Sequence, residues 1–254
     1  MAASGASSDE FGGAETVPNR LLRALPDARR EHLAALLSPV ELRLRTVIFE
    51  PGQIIDSVDF PRGCVESLVT PLADGRTVEV AAVGNDGILG VPLVPGGSLA
   101  VRAVCSVPGV VDRMDARTFG HEIEADVHLR ELVDDYEQAM INRLAVAVAC
   151  NRLHSTEERT ARWLLTSHDQ TGAMSFVTTL EFLGSLLGCS ETSIRRSVQS
   201  LQKAGLIRHH RGRITILDPP GLRMAACECY ALIKREADGV VQKALVRTLL
   251  LTES

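Results

Sequence analysis

The chain has 254 residues, of which 45% are hydrophobic, and a formal net charge of -5 at pH 7. This length allows one large core or two smaller ones, and it favours two domains. The longest uninterrupted apolar run, residues 144–150, is far shorter than the roughly 20 residues that a membrane-spanning helix needs. The composition therefore argues against a membrane span.

Residues 1–18 are rich in Gly, Ala, Ser and acidic residues, and they lack a basic start followed by an apolar block. They predict a disordered tail without a signal peptide, so we expect a cytoplasmic protein. Six cysteines fit that compartment as free thiols, and their spacing gives no zinc pattern. We therefore expect buried, inert thiols, with no metal site and no cofactor. The cysteines are Cys64, Cys105, Cys150, Cys189, Cys227 and Cys229.

Short strands dominate the pattern after a first helix, which is predicted over residues 26–37. The dipeptide Asp74-Gly75 lies between two strand-like runs and suits the positive φ angles of a tight hairpin turn. Many short strands with regular breaks predict a β-roll, a jelly-roll-like barrel, over residues 19–124. The clearest strands are expected at 47–49, 54–55, 65–70, 77–83 and 100–104.

One long helix is predicted over residues 125–153, because apolar residues recur at helical spacing from Leu129 to Val148. One apolar face would cover the β-roll. A second edge, formed by Ile141, Ala145 and Val146, would suit the same helix of another subunit. Packing wholly within one chain is the alternative.

Residues 154–218 predict a winged helix-turn-helix unit, which follows a hinge at His154 and Ser155. Two short helices lie on either side of Gly188, a residue that suits a left-handed C-cap, and Ser190 suits the next N-cap. The second helix has an apolar stripe and an opposite polar face of Thr192, Arg196, Gln199 and Lys203, with Arg195 beside it. In such a motif the second helix enters the DNA major groove. An ordinary two-helix hairpin with a solvated face is the alternative.

The segment 190–217 contains six basic residues and one acidic residue, a net charge of +5 in a chain whose total is -5. Such an asymmetry is typical of a local phosphate-binding surface. Residues 206–217 alternate apolar and polar positions and predict a β-hairpin wing, in which His209 and His210 favour phosphate contact or solvation over metal binding. Residues 219–254 predict a C-terminal helical extension, with a helix from Leu222 to Leu251.

The order of β-roll, long helix, helix-turn-helix and wing over about 19–217 resembles the Crp/Fnr superfamily of bacterial transcription regulators. The local match centres on 187–190 (LGCS), 192–196 and 201–207, and the stretch 151–165 (NRLHSTEERTARWLL) resembles the hinge and first helix of the family's DNA-binding domain. The resemblance implies an α+β fold with a cyclic-nucleotide-binding-like sensor domain. It also implies a homodimer on a two-fold symmetric DNA site, and contact with RNA polymerase.

The resemblance places Arg196 where the family has its recurrent base-reading arginine, while Glu191 and Thr192 replace the prototype's arginine and glutamate. With Gln199 these are the expected base-reading residues, since arginine can donate two hydrogen bonds to guanine and glutamine can pair with adenine. The expected phosphate-binding residues are Ser190, Ser193, Arg195, Lys203, Arg208, Arg211 and Arg213.

The sensor departs from the family pattern. Members that bind cyclic nucleotide use a Gly-Glu step for the ribose and an Arg-Ser pair for the cyclic phosphate, and these match Gly90-Val91 and Gly97-Ser98 here. Valine cannot accept a hydroxyl hydrogen bond and glycine cannot neutralise a phosphate, so we expect no family-typical affinity for cyclic AMP. Arg102 could substitute, although the pattern places it in the next strand. No N-terminal cysteine cluster suits an iron–sulfur centre.

Our first hypothesis is thus a dimeric transcription regulator with a degenerate sensor, whose small-molecule or protein effector the sequence does not identify. The alternative is a ligand-binding module that uses its helix-turn-helix as a protein-interaction surface, and it predicts no salt-dependent DNA binding. An enzyme is disfavoured, because Ser98, His121 and the scattered acids do not supply a nucleophile, a base and its orienting group.

Overall fold

The computed structural model describes residues 18–91 and 97–252, which form a β-roll, a long central helix, a winged helix-turn-helix domain and C-terminal helices. This mixed architecture confirms the predicted α+β fold class. Residues 1–17 of the predicted tail and the segment 92–96 lie outside the described residues. None of the described helices combines the length and the hydropathy of a membrane span.

The β-roll has seven strands: β1 (Ser38–Leu42), β2 (Val47–Phe49), β3 (Ser57–Arg62), β4 (Val65–Pro71), β5 (Thr77–Val83), β6 (Arg102–Val107) and β7 (Gly109–Asp115). Within the described residues they form two antiparallel sheets, with strand orders β1-β7-β3 and β2-β6-β4-β5. The Asp74-Gly75 hairpin is confirmed, since it joins β4 to β5 and Gly75 has a φ of 84°. The predicted strand at 54–55 is wrong, because Ile54 forms only an isolated bridge with Ser98.

Three helices flank the β-roll: α1 (Arg20–Arg23), α2 (Asp27–Leu36) and α3 (Ala116–Ala125). Helix α2 confirms the predicted first helix, with Pro26 at its N-cap. The Phe119 ring of α3 meets the Phe60 ring of β3 edge to face, with centroids 5.7 Å apart. This contact fixes α3 on the sheet.

The predicted long helix is confirmed as α4 (Val127–Leu153), with the Asp126 carboxylate capping its N-terminus. Leu129, Leu132, Val133 and Tyr136 are buried, as the apolar stripe predicted. The prediction that the buried stripe extends to Val148 is wrong, because Val148 is 73% exposed. Helix α4 thus covers the β-roll with its first half.

The winged helix-turn-helix domain consists of α5 (Thr156–Thr171), β8 (Ser175–Val177), α6 (Leu180–Leu187), α7 (Glu191–Lys203), β9 (Ile207–His210) and β10 (Arg213–Ile216). The capping box of Ser155 and Glu158 is present at the start of α5. The predicted wing is confirmed as the β9–β10 hairpin, and β8 adds an unpredicted third strand beside β10. The core of this domain continues into the β-roll, where Trp163 belongs to the same cluster as Val65 and Val107.

The C-terminal extension is two helices, so the prediction of one helix from Leu222 is wrong. Helix α8 (Pro219–Ala225) ends where Ala226 takes an extended conformation, and α9 (Cys229–Thr252) starts after Cys227 and Glu228. Helix α9 runs antiparallel along α4, where the Lys243 ammonium lies 2.7 Å from the Asp135 carboxylate. The break turns the chain back onto the end of α4.

Candidate nucleic-acid interface

The helix-turn-helix has the local geometry that its sequence predicts. Gly188 ends α6 with a φ of 61°, and the next N–H, of Cys189, donates to the Gly184 carbonyl at 2.9 Å. The Ser190 hydroxyl then accepts the N–H of Ser193 at 3.2 Å and caps α7. On the inner side of α7, the exposed fractions of Ile194, Val198 and Leu201 are 0%, 2% and 1%. The buried stripe therefore fixes which face of α7 points outward.

A buried arginine of α5 holds the turn in place. The Arg159 guanidinium is 6% exposed, donates to the Leu187 carbonyl oxygen and lies 2.8 Å from the Asn151 side-chain oxygen of α4. The turn of the motif is thereby tied to the end of the long helix. Sequence reasoning missed this residue, although it lies one helical turn before the buried Trp163, on the same stripe.

The outward face of α7 is open to solvent. Thr192, Arg196, Gln199 and Lys203 are all exposed and lie along one side of the helix. The Arg196 guanidinium makes no hydrogen bond or ion pair with any residue of the described ranges. Glu191, also exposed, forms an ion pair with Arg195 one turn later. The structure thus brings the predicted base-reading residues together on a single accessible surface.

The wing lies beside this face. Both central residues of its turn, Arg211 and Gly212, have positive φ angles, of 47° and 73°, as a type I′ turn requires. The Gln202 side-chain oxygen of α7 accepts the N–H of His209 at 2.8 Å and so fixes the wing relative to the helix. Burial, together with the charges of Arg195 and His210, lowers the pKa of His209. These neighbours make the local potential positive.

The predicted phosphate-binding residues surround the same surface. Lys203 lies in the last turn of α7, Arg208 and Arg211 are exposed on the wing, and Arg213 is half-buried on β10. Ser190 and Ser193, at the start of α7, hydrogen-bond to each other through their hydroxyls at 2.9 Å. The cationic groups therefore flank the α7 face on its C-terminal and wing sides.

The predicted effector residues belong to the β-roll and lie on both sides of the segment 92–96 in the chain. Gly90 has a φ of 84°, and a Cβ on it would lie 2.3 Å from the Ser57 carbonyl oxygen, so no larger residue fits. Val91 and Gly97 border the segment on either side, and Ser98 bridges to Ile54. Arg102 begins β6, as the pattern predicted, and its guanidinium lies 2.9 Å from the Glu50 carboxylate. This arginine is therefore engaged by an acid of the β-roll itself.

Helix α6, in contrast to α7, faces the β-roll. The Thr77 hydroxyl of β5 donates to the Ser185 carbonyl of α6 at 2.9 Å. The Arg45 guanidinium donates to the Thr179 hydroxyl at 2.8 Å and lies 4.9 Å from the centre of the Phe182 ring. The β-roll thus supports the first helix of the motif and leaves the second uncovered.

The Asp86 carboxylate connects three parts of the molecule. It lies in the loop after β5 and is almost fully buried, 2.8 Å from the Arg143 guanidinium of α4. Its second oxygen accepts the Gln170 amide of α5 at 3.0 Å. At this point the β-roll, the long helix and the helix-turn-helix domain are joined by one buried polar network.

Known proteins share both the fold and the motif. Residues 158–225 match the Crp-like helix-turn-helix domain family. The structure of FixK2 from Bradyrhizobium japonicum is 15% identical, with a TM-score of 0.63 over 75% of this chain and 98% of that one. A CRP-family transcriptional regulator from Thermus thermophilus is 19% identical, with a TM-score of 0.60 over 74% of this chain and 96% of its own.

A third similar structure is the c-di-GMP-responsive global regulator CLP of Xanthomonas campestris, 15% identical with a TM-score of 0.58, which covers 74% of this chain and 98% of its own. No curated protein matches the sequence significantly.

The fold and the family match define a class of structure, in which a cyclic-nucleotide-binding-like β-roll is joined by a long helix to a Crp-like helix-turn-helix domain. The resemblance seen in the sequence is thus confirmed for the helix-turn-helix domain by the family match and for the whole chain at the level of the fold.

Proposed function

We propose that the protein is a cytoplasmic transcription regulator that binds a two-fold symmetric DNA site as a homodimer. The observation that carries the proposal is the solvent-exposed face of α7, with Thr192, Arg196 and Gln199 on one side of a helix whose other side is buried. A helix of this kind fits the major groove and offers donors to base edges.

The chemistry of this surface divides between base reading and phosphate binding. Arg196 is free to donate two parallel hydrogen bonds to guanine, and Gln199 lies one turn further along the same face. Lys203, Arg208, Arg211 and Arg213 supply sequence-independent contacts to the DNA backbone.

An exposed seam on α4 with an apolar centre supports the homodimer. Ile141 and Ala145 of the predicted second edge are exposed, whereas Val146 is half-buried against the cysteines at the end of the helix. The exposed residues of α4 recur at spacings of three and four, the pattern of a two-stranded coiled coil: Gln138, Ile141, Ala145, Val148 and Arg152. Ile141 is 54% exposed and Val148 is 73% exposed, although α9 packs on another side of the same helix. The same seam on a second copy would cover these side chains and bring two α7 helices to one face of the dimer.

The sensor domain, in this proposal, does not read a cyclic nucleotide in the manner of the family prototype. Val91 and Gly97 lack the acceptor and the charge that such a ligand needs, and Glu50 holds Arg102. A different small molecule or a protein partner would act by favouring one arrangement of the domains over another, and RNA polymerase is the expected downstream partner.

Two substitutions on α7 test the proposal by their different signatures. Arg196→Ala should weaken binding to fragments selected from genomic DNA by about 1–3 kcal/mol and relax the preference at one base position in each half-site. Lys203→Ala should weaken binding to all sequences. It should also reduce the slope of log affinity against log salt concentration by about the amount that one phosphate contact contributes. Both effects can be measured by gel-shift titration at several salt concentrations.

Arg117→Ala is the matched control, because Arg117 is an exposed arginine on α3 of the β-roll, outside the interface. The Arg117→Ala variant should have the same affinity for DNA and the same salt slope as the wild type. If the Arg196 and Lys203 variants also bind DNA like the wild type, α7 is not the reading helix. If wild-type protein binds no DNA in a salt-dependent manner, the protein-interaction alternative replaces the proposal.

A further inference from the structure

Four potential metal ligands meet where α4 ends and the C-terminal extension turns back. Cys150 lies in the last turn of α4, His154 follows that helix, and Cys227 and Cys229 flank the break between α8 and α9. Their sulfur and nitrogen ligand atoms all lie within 4.8 Å of one another. The three cysteines are at most 4% exposed and the His154 side chain is 14% exposed. Residues 77 positions apart in the sequence thus form one compact, buried cluster.

The spacing of these atoms agrees with a tetrahedral metal site. With metal–sulfur bonds of about 2.3 Å and a metal–nitrogen bond of about 2.0 Å, the edges of the tetrahedron are about 3.8 Å between sulfurs and about 3.5 Å between sulfur and nitrogen. The Sγ atoms of Cys150 and Cys227 are 3.6 Å apart. The Sγ of Cys229 lies 3.6 Å from Nδ1 of His154.

The imidazole of His154 is oriented for metal binding. Its Nε2 lies 3.1 Å from the carboxylate of Glu228, whose side chain is 76% exposed. A histidine that donates its Nε2–H to a carboxylate keeps a lone pair on Nδ1, and metal-bound histidines usually have such a partner. Nδ1 is the nitrogen that faces the sulfur of Cys229.

The positive charge of the Arg162 guanidinium acts on the cysteines of the cluster. Three thiolates and a divalent cation carry one net negative charge, which the guanidinium of Arg162 can offset. This arginine comes from α5, so the helix-turn-helix domain contributes to the surroundings of the cluster.

We propose that Cys150, His154, Cys227 and Cys229 bind one Zn²⁺ ion. Three thiolates and one imidazole in tetrahedral reach favour zinc among the common metals. Four protein ligands leave no open position, so the site is structural. On binding, the thiols that are still protonated release their protons to solvent, and the metal undergoes no redox change.

The site would fasten the C-terminal extension to the hinge of the molecule. His154 lies between α4 and α5, where the sensor part of the chain passes into the DNA-binding domain. Zinc would hold the α8–α9 break against this point and thereby keep α9 along α4. The inference does not depend on DNA binding, because it concerns ligand geometry alone.

The spectrum of bound cobalt tests the proposal directly. Purified, reduced full-length protein should contain one zinc per chain, and Co²⁺ added after removal of zinc should give the visible bands of a tetrahedral complex with thiolate charge-transfer bands in the near ultraviolet. Cys227→Ser should lose tight binding by at least about 100-fold. Glu228→Gln should keep the tetrahedral spectrum but bind about 10–100-fold more weakly, because only the orienting partner of His154 changes.

Cys189→Ser is the matched control, since Cys189 is a half-buried cysteine in the turn of the helix-turn-helix, outside the cluster. It should bind cobalt like the wild type. Folded wild-type protein that takes up no Co²⁺, or binds it without thiolate bands, would overturn the proposal independently of any variant. A disulfide between Cys150 and Cys227 in protein purified without oxidant would also overturn it, because that bond removes two ligands.

Discussion

Two neighbouring arginines of α7 differ in their polar contacts. Arg195 forms an ion pair with Glu191, whereas Arg196, within the described part of the chain, has no polar partner. In the proposed complex Arg196 can reach a base without first breaking a contact, while Arg195 must leave Glu191 to bind a phosphate. The apolar stripe of the helix predicts that both point outward, but it does not predict the pairing, which depends on side-chain conformation.

Glu79 is a second residue whose role comes from its surroundings. It is buried between the β-roll and α5, where the Ser67 hydroxyl donates to its carboxylate at 2.5 Å and the Trp163 indole N–H at 3.3 Å. Burial raises its pKa above the ordinary 4.5, against the hydrogen bond from Ser67. Between 4.5 and the raised value, the folded protein holds a proton that the unfolded chain has released.

The contribution of Glu79 to the free energy of unfolding should therefore fall as the pH rises through that window. It should stay at the lower value above the window. Glu79→Gln keeps the hydrogen-bond acceptor and removes the charge. Its stability relative to the wild type should grow as the pH rises from 4.5 and then level off, measured by urea unfolding at several pH values. Glu31→Gln is the control, because Glu31 is exposed. It shows how much a surface glutamate contributes to the pH dependence of stability. A constant difference between Glu79→Gln and wild type across this range would contradict the assignment.

Among the helices and strands, those with a strongly periodic hydrophobic pattern were predicted best. The 27 residues of α4, the β4–β5 hairpin and both helices of the motif follow their sequence patterns closely. The whole sheet β1-β7-β3 escaped prediction. In β3, a buried Asp59 interrupts the apolar pattern, and Pro61 is a residue that usually breaks a strand. Asp59 is tolerated there because the Arg113 guanidinium of β7 binds both of its oxygens at 2.6 Å.

The exposed seam of α4 gives a testable prediction. Val148→Asp should weaken the dimer by at least about tenfold, because an uncompensated carboxylate would be buried between the two helices. Sedimentation at several protein concentrations measures the change. Met224→Asp is the control, since Met224 is 87% exposed on α8, away from the seam. A wild-type monomer at the highest concentration, or a Val148 variant that dimerises normally, would rule the seam out as the interface.

In the whole molecule, the β-roll and the winged helix-turn-helix domain are not separate bodies. They share a hydrophobic core around Trp163, and Gly84 of the β-roll approaches α5 so closely that a Cβ would lie 2.3 Å from the Gln170 side chain. Together with the Asp86 network, these contacts give a physical route by which a change in the β-roll could alter the position of α7.

Long-range contacts also explain what the sequence could not predict. The cluster of Cys150, His154, Cys227 and Cys229 exists only because α9 returns along α4, and no local spacing signals it. The outward face of α7 could be predicted because its stripe lies within 13 residues of chain. The orientation of α7 could therefore be predicted from the sequence, whereas a cluster made by tertiary contact could not.

If two copies of α7 read a symmetric DNA site, fragments of genomic DNA selected by the purified protein at a stated salt concentration should share a palindromic motif. Its half-sites should be centred about 10 base pairs, or a multiple of that, apart. Arg196→Ala should lose the preference at the same position in both halves. Enrichment of an asymmetric motif, or no enrichment over the input DNA, would contradict the proposal.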